Sequence, residues 1–543
     1  MDFVNLELKE MEKIYGKISP FEFKNKLIQL AKDPKEKSAR TLLDAGRGNP
    51  NWTASTPRDA FFTFGHFAVS ETRRVQDDGD LAGMPEKTGI CNRFYEYLDK
   101  NLNFPGVDLL KNIIDYGINE QGFNGDDWIH ELADGIIGDN YPFPDRMLPH
   151  IEKVVHDYLL QEMCYDKPPS GKFKLFAVEG ATAAMCYIFD SLIANNLIHK
   201  GDKIALMTPI FTPYLEIPLL PRYDLDIVAI SASEKSEDGT HTWQYPKSEL
   251  EKLNDKAIKA LFMVNPSNPP SMAMNPTCIN TLVNIVKENN PDLMIISDDV
   301  YGTFVNNFRS LVSYLPFNSI GVYSFSKYFG VTGWRLGTLA LHENNVFDKL
   351  LSKFKNSEKD VLNRRYGALS SDPESLPFID RIVADSRQVA LNHTAGLSTP
   401  QQVQMAFFCA FALLDKDNKY KNQTINICHK RQKLLFDGLG IDIKINPYDA
   451  AYYTQFDLLE WAYINYGKDF ATYLQSNYKP VDILYRLAQE SSIVLLSGGG
   501  FHGPEWSIRI SLANLEDESY SKIGSVLKSI LENLAENWKK TCQ

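Results

Sequence analysis

Between about residues 170 and 345 the chain alternates short apolar runs with longer amphipathic stretches: KLFAV (174–178), KIALM (203–207), LDIVAI (225–230), ALFMV (260–264), LMIIS (293–297), GVYS (321–324) and GTLAL (337–341). Most of these runs are continuous rather than alternating in polarity, as expected of strands covered by helices on both faces. The pattern predicts an α/β architecture with a seven-stranded, mostly parallel sheet between helices. Before residue 140 and after residue 400 the strand signal thins. Helical periodicity takes over there, as in LYRLAQESSIVLL and YSKIGSVLKSILENLAENW. The two ends are expected to pack together as a smaller α+β domain. Residues 1–137 would be its N-terminal part with an inserted helical segment, 138–400 the large domain, and 401–543 its C-terminal part. The apolar run from Met405 to Leu414 is half of the ~20 residues a membrane span needs, and reads as a buried helix.

A length of 543 residues exceeds the roughly 250–300 at which single cores stop growing, so two domains are the default. A formal charge of -12 argues against nucleic-acid or anionic-membrane partners, which reward clustered Lys and Arg. Seven cysteines (Cys91, Cys164, Cys186, Cys278, Cys409, Cys428 and Cys542) include no CxxC pair. That spacing suits neither a disulfide framework nor a zinc site, and reads as reduced packing residues in a cytosol. The first residues, MDFVNLELKEMEKIYGK, lack the apolar core of a signal peptide. A cytoplasmic protein without a metal is expected.

The chemistry-bearing residues follow the candidate strands. In VYSFSKYFGVTGWRLG, Lys327 comes after the sixth strand and before a glycine-bearing turn, at a strand's C-terminal end, where open α/β sheets bind ligands. Arg335 lies eight residues on. Taken alone, both are two of 57 basic residues on a solvated face. IISDDVYGTF sets Asp298 and Tyr301 after the fifth strand, and MVNPSNPP sets Asn268 after the fourth; singly, these read as turn and cap residues. VEGATAAM follows the first strand and opens a helix, so backbone N–H groups of Gly180, Ala181 and Thr182 can meet a phosphate at the positive helix end. Phe211 in TPIFTPY could lie against a planar ring, and Ser324 with Arg335 could add donors to the phosphate. In WSIRISLAN, Arg509 has the planar fork that matches a carboxylate. A lysine for an aldehyde, an acid for a pyridine nitrogen, phosphate donors and a cation for a carboxylate together make the set that pyridoxal 5'-phosphate (PLP) chemistry needs.

Taken in order, GNP, EGATAAM, PIFTPY, NPSNPP, SDDVY, SFSKxxGxxGWRLG and RISLA resemble the signature of fold-type I PLP enzymes, the aspartate-aminotransferase family, over about residues 45–515. The resemblance implies Lys327 as the Schiff-base lysine, Asp298 on the pyridine nitrogen, and Tyr301 and Asn268 on the ring oxygen. It also implies Phe211 stacked on the ring and Arg509 on the substrate α-carboxylate. AGRGNPNW (45–52), GDNYPFPDRMLPH (138–150) and wide spacers are most similar to the aspartate β-decarboxylase branch of that family. By this resemblance the reaction is L-aspartate to L-alanine and carbon dioxide, with accompanying transamination. Active sites lie at a dimer interface, larger assemblies of dimers are expected, and Tyr141 reaches a neighbouring subunit's phosphate. Gly48 with Arg47 would sit by the substrate. Arg47 departs from the usual aminotransferase residue and is expected either to steer the distal carboxylate or to make a supporting salt bridge.

Two other readings share the cofactor residues. One is a plain aminotransferase acting on aspartate or another amino acid with 2-oxo acids. The other is a PLP-fold transcription regulator, but the first hundred residues show no basic cluster of the kind a DNA-binding segment carries. The segments near 55–135 and 345–395 have no role readable from the sequence.

Overall fold

The computed structural model describes residues 19–32, 41–141, 144–387, 396–444 and 446–542. A two-residue strand β1 (Leu43–Asp44) precedes a large sheet of seven strands. These are β2 (Phe173–Val178), β3 (Lys203–Thr208), β4 (Asp226–Ser231), β5 (Ile258–Val264), β6 (Met294–Asp298), β7 (Ser319–Ser324) and β8 (Gly337–His342). Their order is β2-β8-β7-β6-β5-β3-β4. Only β8 runs against its neighbours; β7, β6, β5, β3 and β4 pair in parallel. The expected seven-stranded, mostly parallel sheet is the sheet observed.

The continuous apolar runs have a direct cause. Along β5, Ala260 and Phe262 pack into one hydrophobic core while Leu261 and Met263 pack into another on the opposite face. Period-two alternation is still present, but both faces are dry, so both sets are apolar. Helix Ala181–Ala194 covers the first face, with Phe189 stacked on Phe262 at 4.3 Å. Helix Pro276–Glu288 covers the second through Ile279, Leu282 and Val286.

The two ends of the chain meet. β1 pairs in parallel with β10 (Ile493–Val494), and β9 (Tyr453–Asp457), β12 (Ser507–Ser511) and β11 (Leu496–Ser497) form an antiparallel sheet in which β12 is central. The stretch LYRLAQESSIVLL is therefore only half helical. Its helix, Pro480–Ser491, stops where Ser492 takes a left-handed φ of 56°, and the β-branched, fully buried residues beyond it become β10. The final segment is helical as expected, Asp517–Thr541. Across the two parts, Nε2 of the His241 ring lies 3.3 Å from a carboxylate oxygen of Asp457.

Helices Ser55–Val75, Ile90–Lys100, Val107–Asn119 and Gly125–Ile137 occupy the first wide spacer. Phe64 and Phe67 on the first and Phe94 on the second form one aromatic cluster, which continues to Phe407 on the buried helix Thr399–Leu414. The cluster is tied to the turn after Lys327, where Arg58 Nη2 donates to Gly330 O (2.8 Å) and Trp52 Nε1 donates to Tyr328 O (3.1 Å). The second spacer folds as helices Val346–Ser352, Asn356–Tyr366 and Phe378–Ser386. Among the described residues no helix is long and apolar enough to cross a membrane.

Candidate active site

The carboxyl ends of β5, β6 and β7 open into a cleft of about 280 Å³. β8 runs antiparallel, so its amino end, Gly337, sits at the same edge opposite Val178 of β2 and Ser324 of β7. This brings Arg335 beside the helix start at Ala181, although the two are far apart in sequence. Close approach is essential here. A Cβ on Gly180, which has φ of 88°, would stand 2.5 Å from Arg335 Nη2, and one on Gly337 would stand 2.6 Å from Gly180 Cα.

Asp298 closes β6 at the cleft floor. Its Oδ2 accepts from the Tyr214 hydroxyl at 2.6 Å and its Oδ1 accepts from Val300 N–H at 3.2 Å. Burial pulls its pKa up, against the two donors and nearby Lys327, to about 6. Its neighbour Asp299 faces away from the cleft, accepting from Ser297 and Ser310 hydroxyls, so the SDD motif offers the cleft a single carboxylate. Lys327 follows β7 and donates from Nζ to Gly48 O at 3.0 Å. Ala181, Thr182, Ser324, Ser326 and Arg335 line the cleft at one end. Gly180 does not; its N–H already donates to Val178 O at 2.8 Å. The helix donors facing the cleft are thus those of Ala181 and Thr182, while Gly180 supplies the close approach.

At the other end lies Arg509, central in β12 and 1% exposed. Its Nη1 donates to Asn268 Oδ1 (3.2 Å) and its Nη2 to Gly46 O (2.9 Å), while Nε has no partner among the described residues. The rings of Tyr453 (4.3 Å), Phe501 (5.0 Å) and Phe21 (5.5 Å) surround its guanidinium. Tyr301 donates from its hydroxyl to that of Tyr453 at 3.2 Å. Burial raises the Tyr301 hydroxyl well above its ordinary value. Burial acts likewise on Tyr453, but Lys327 and Arg509 outweigh it and hold that hydroxyl below its ordinary value.

Of the residues singled out from the sequence, Lys327, Asp298, Tyr301, Asn268, Ala181, Thr182, Phe211, Ser324, Arg335, Gly48 and Arg509 share this cleft. Arg47 and Tyr141 do not; both are exposed and outside its lining. Sequence reading missed Tyr214, Tyr453, Ser326 and Phe21, all of which line it. Tyr214 was within reach, since it ends the PIFTPY motif. Tyr453 sits in an AAYYTQ stretch whose tandem tyrosines look like ordinary strand residues until the β9–β12 pairing is known.

The groups present fit PLP. One end offers helix N–H groups, hydroxyls and a guanidinium for a phosphate, including a buried Ser326 Oγ with no partner among the described residues. The middle offers an amine and a half-buried Phe211 ring, and the floor a carboxylate held by Tyr214. Arg509, whose buried Nε has no partner among the described residues, lines the same cleft. A lysine beyond a strand end, with these groups gathered at the carboxyl edge of a mostly parallel sheet, defines a PLP-dependent enzyme of fold type I. Residues 182–526 match the family of class I and II aminotransferases, and the chain belongs to that family. Over 524 residues, 96% of this chain and 97% of the relative, it is 45% identical to a bifunctional aspartate aminotransferase and L-aspartate beta-decarboxylase of a Pseudomonas species. A probable aspartate/prephenate aminotransferase of Aquifex aeolicus is 24% identical over 52% of this chain and 69% of its own length. The fold is also that of a Thermus thermophilus aspartate aminotransferase double mutant, with a TM-score of 0.58 at 14% identity over 95% of this chain and 96% of that one.

Proposed function

We propose that the protein converts L-aspartate to L-alanine and carbon dioxide, with amino transfer between aspartate and 2-oxo acids as an accompanying activity. One observation carries this reading. The likeness to the bifunctional enzyme runs through 96% of the chain and 97% of that relative, so it takes in both wide spacers, whereas the probable aspartate/prephenate aminotransferase matches 52% of the chain.

Bound PLP supplies an aldehyde for the substrate amine and a ring that draws electrons from the bonds around Cα. Asp298, ionised, keeps the proton on the ring nitrogen, and Tyr214 orients that carboxylate. Lys327, once its amine is free, takes the proton from Cα and returns it. Arg509 grips the α-carboxylate, and Asn268 and Gly46 O fix the plane of its fork. Phe211 covers the ring, while Ala181, Thr182, Ser324, Ser326 and Arg335 hold the phosphate. Arg47 steers the distal carboxylate from the mouth of the cleft. Its exposure suits a loose contact, because a grip on the departing group tighter in the ground state than in the transition state would oppose release.

Tyr141 is 69% exposed and outside its own chain's cleft. It serves the phosphate of a neighbouring subunit, which makes a homodimer the working unit and larger assemblies of dimers its extension. Residues 138–400 form the cofactor-binding domain and the two chain ends the smaller one, in a cytoplasmic enzyme. The test is incubation of the PLP-loaded protein with L-aspartate and no added 2-oxo acid, measuring carbon dioxide, alanine and oxaloacetate together. Alanine and carbon dioxide in equal amounts over many turnovers is the expected outcome. Oxaloacetate alone, stopping after one equivalent, would leave a plain aminotransferase.

A further inference from the structure

Releasing carbon dioxide from aspartate consumes a proton. The bond from Cβ to its carboxyl carbon breaks, its electron pair remains on the three-carbon fragment, and a C–H bond must form at Cβ before alanine can leave. Lys327 serves Cα, and Asp298, at the floor, is held by the Tyr214 hydroxyl and Val300 N–H. We propose that Tyr453 delivers the proton to Cβ. This rests on the aspartate reading above and adds a residue to it.

Three observations place the Tyr453 hydroxyl there. It lines the cleft from β9, the strand beside the one that carries Arg509. A Cβ built on Gly48 would lie 2.5 Å from Tyr453 Oη and 3.2 Å from Lys327 Nζ, so oxygen and amine flank the same small space. The Tyr453 ring also lies against the Arg509 guanidinium at 4.3 Å. A substrate with its α-carboxylate at Arg509 and Cα at Lys327 therefore holds the rest of its short chain within reach of this oxygen.

The surroundings suit a group that gives up a proton and recovers it. Lys327 and Arg509 stabilise the phenolate, and the Tyr301 hydroxyl donates to it at 3.2 Å. The two tyrosines are driven apart, Tyr301 upward by burial and Tyr453 downward by Lys327 and Arg509, as expected of an acid and its supporting donor. The phenolate left behind regains a proton from water at the cleft mouth, which closes the balance of one proton per carbon dioxide. Gly48 leaves the space open, since any side chain there would displace the hydroxyl.

Tyr453→Phe in the PLP-loaded enzyme separates this role from a merely structural one. Exchange of the aspartate α-hydrogen with deuterated solvent should stay within about threefold of wild type, while alanine formation falls by about 10²- to 10⁴-fold, the range for loss of a general acid. In the cofactor-free protein, ultraviolet titration of tyrosinate should show one step below the ordinary tyrosine range in wild type and none in Tyr453→Phe. Equal loss of α-exchange and alanine formation would mean that Tyr453 only positions Arg509, and would overturn the proposal; so would the same tyrosinate step in both proteins. If the wild-type enzyme releases no carbon dioxide, the aspartate reading fails, and this inference fails with it.

Discussion

Asp298 shows how a single residue couples folding, cofactor and pH. Its carboxyl is buried and raised to about 6, above the ~3.9 of an unfolded aspartate. The stability this shift contributes to the cofactor-free protein is complete below the unfolded value and lost as pH rises through about 6. Cofactor binding runs the other way, because the protonated ring nitrogen needs the carboxylate ionised. PLP affinity of the wild-type protein should therefore rise across that window, and Asp298→Asn should lose the rise and bind more weakly at neutral pH by about tenfold or more, one charge-assisted hydrogen bond being worth ~1.5–3 kcal/mol. Fluorescence titration of the cofactor-free protein at several pH values checks this. The same pH dependence in the variant would show that another group is responsible. Arg509 illustrates the complementary point, a charge removed from water whose Nε has no partner among the described residues, an arrangement that favours a carboxylate ligand.

At the scale of elements, all seven sheet strands were legible, because two dry faces force unbroken apolar runs and the structure shifts each end by no more than two residues. Lys327, Asp298 and Asn268 were legible for a related reason, since they follow strand ends that the same runs reveal. Tyr453 and Phe21 were not, because they reach the cleft only through pairings between distant parts of the chain, β9 with β12 and the N-terminal helix Pro20–Lys32 with the cleft edge. Gly180 was assigned a phosphate-binding N–H that the fold spends on Val178. What Gly180 and Gly337 do instead is let β8 and the helix start touch. Gly337→Ala should cost about 1–3 kcal/mol in denaturant unfolding, as overpacking does, and weaken PLP retention as Arg335 is displaced. Unchanged stability would mean that this edge tolerates a methyl group and that the close approach is not required.

For the whole molecule, the inserted helices have a definite job. Arg58, on the helix that carries Phe64 and Phe67, ties them to the turn that follows Lys327. The exposure of Tyr141 carries the proposal that sites are shared between subunits, and complementation tests it. When Lys327→Ala and Tyr141→Ala chains are unfolded together and reassembled, about half of the dimers are hybrids, each with one intact site. The mixture should regain about a quarter of wild-type activity if Tyr141 acts across the interface of a twofold dimer. No recovery above the separate variants would place Tyr141 in its own chain's site, or in none.

All of this depends on which amine holds the cofactor. Borohydride reduction of the PLP-loaded enzyme, followed by proteolysis and mass mapping, answers that directly. The structure, with Lys327 Nζ in the cleft against Gly48 O, predicts a single pyridoxyl-bearing peptide modified at Lys327. Modification at another lysine, or none on protein that still carries its cofactor, would contradict the account.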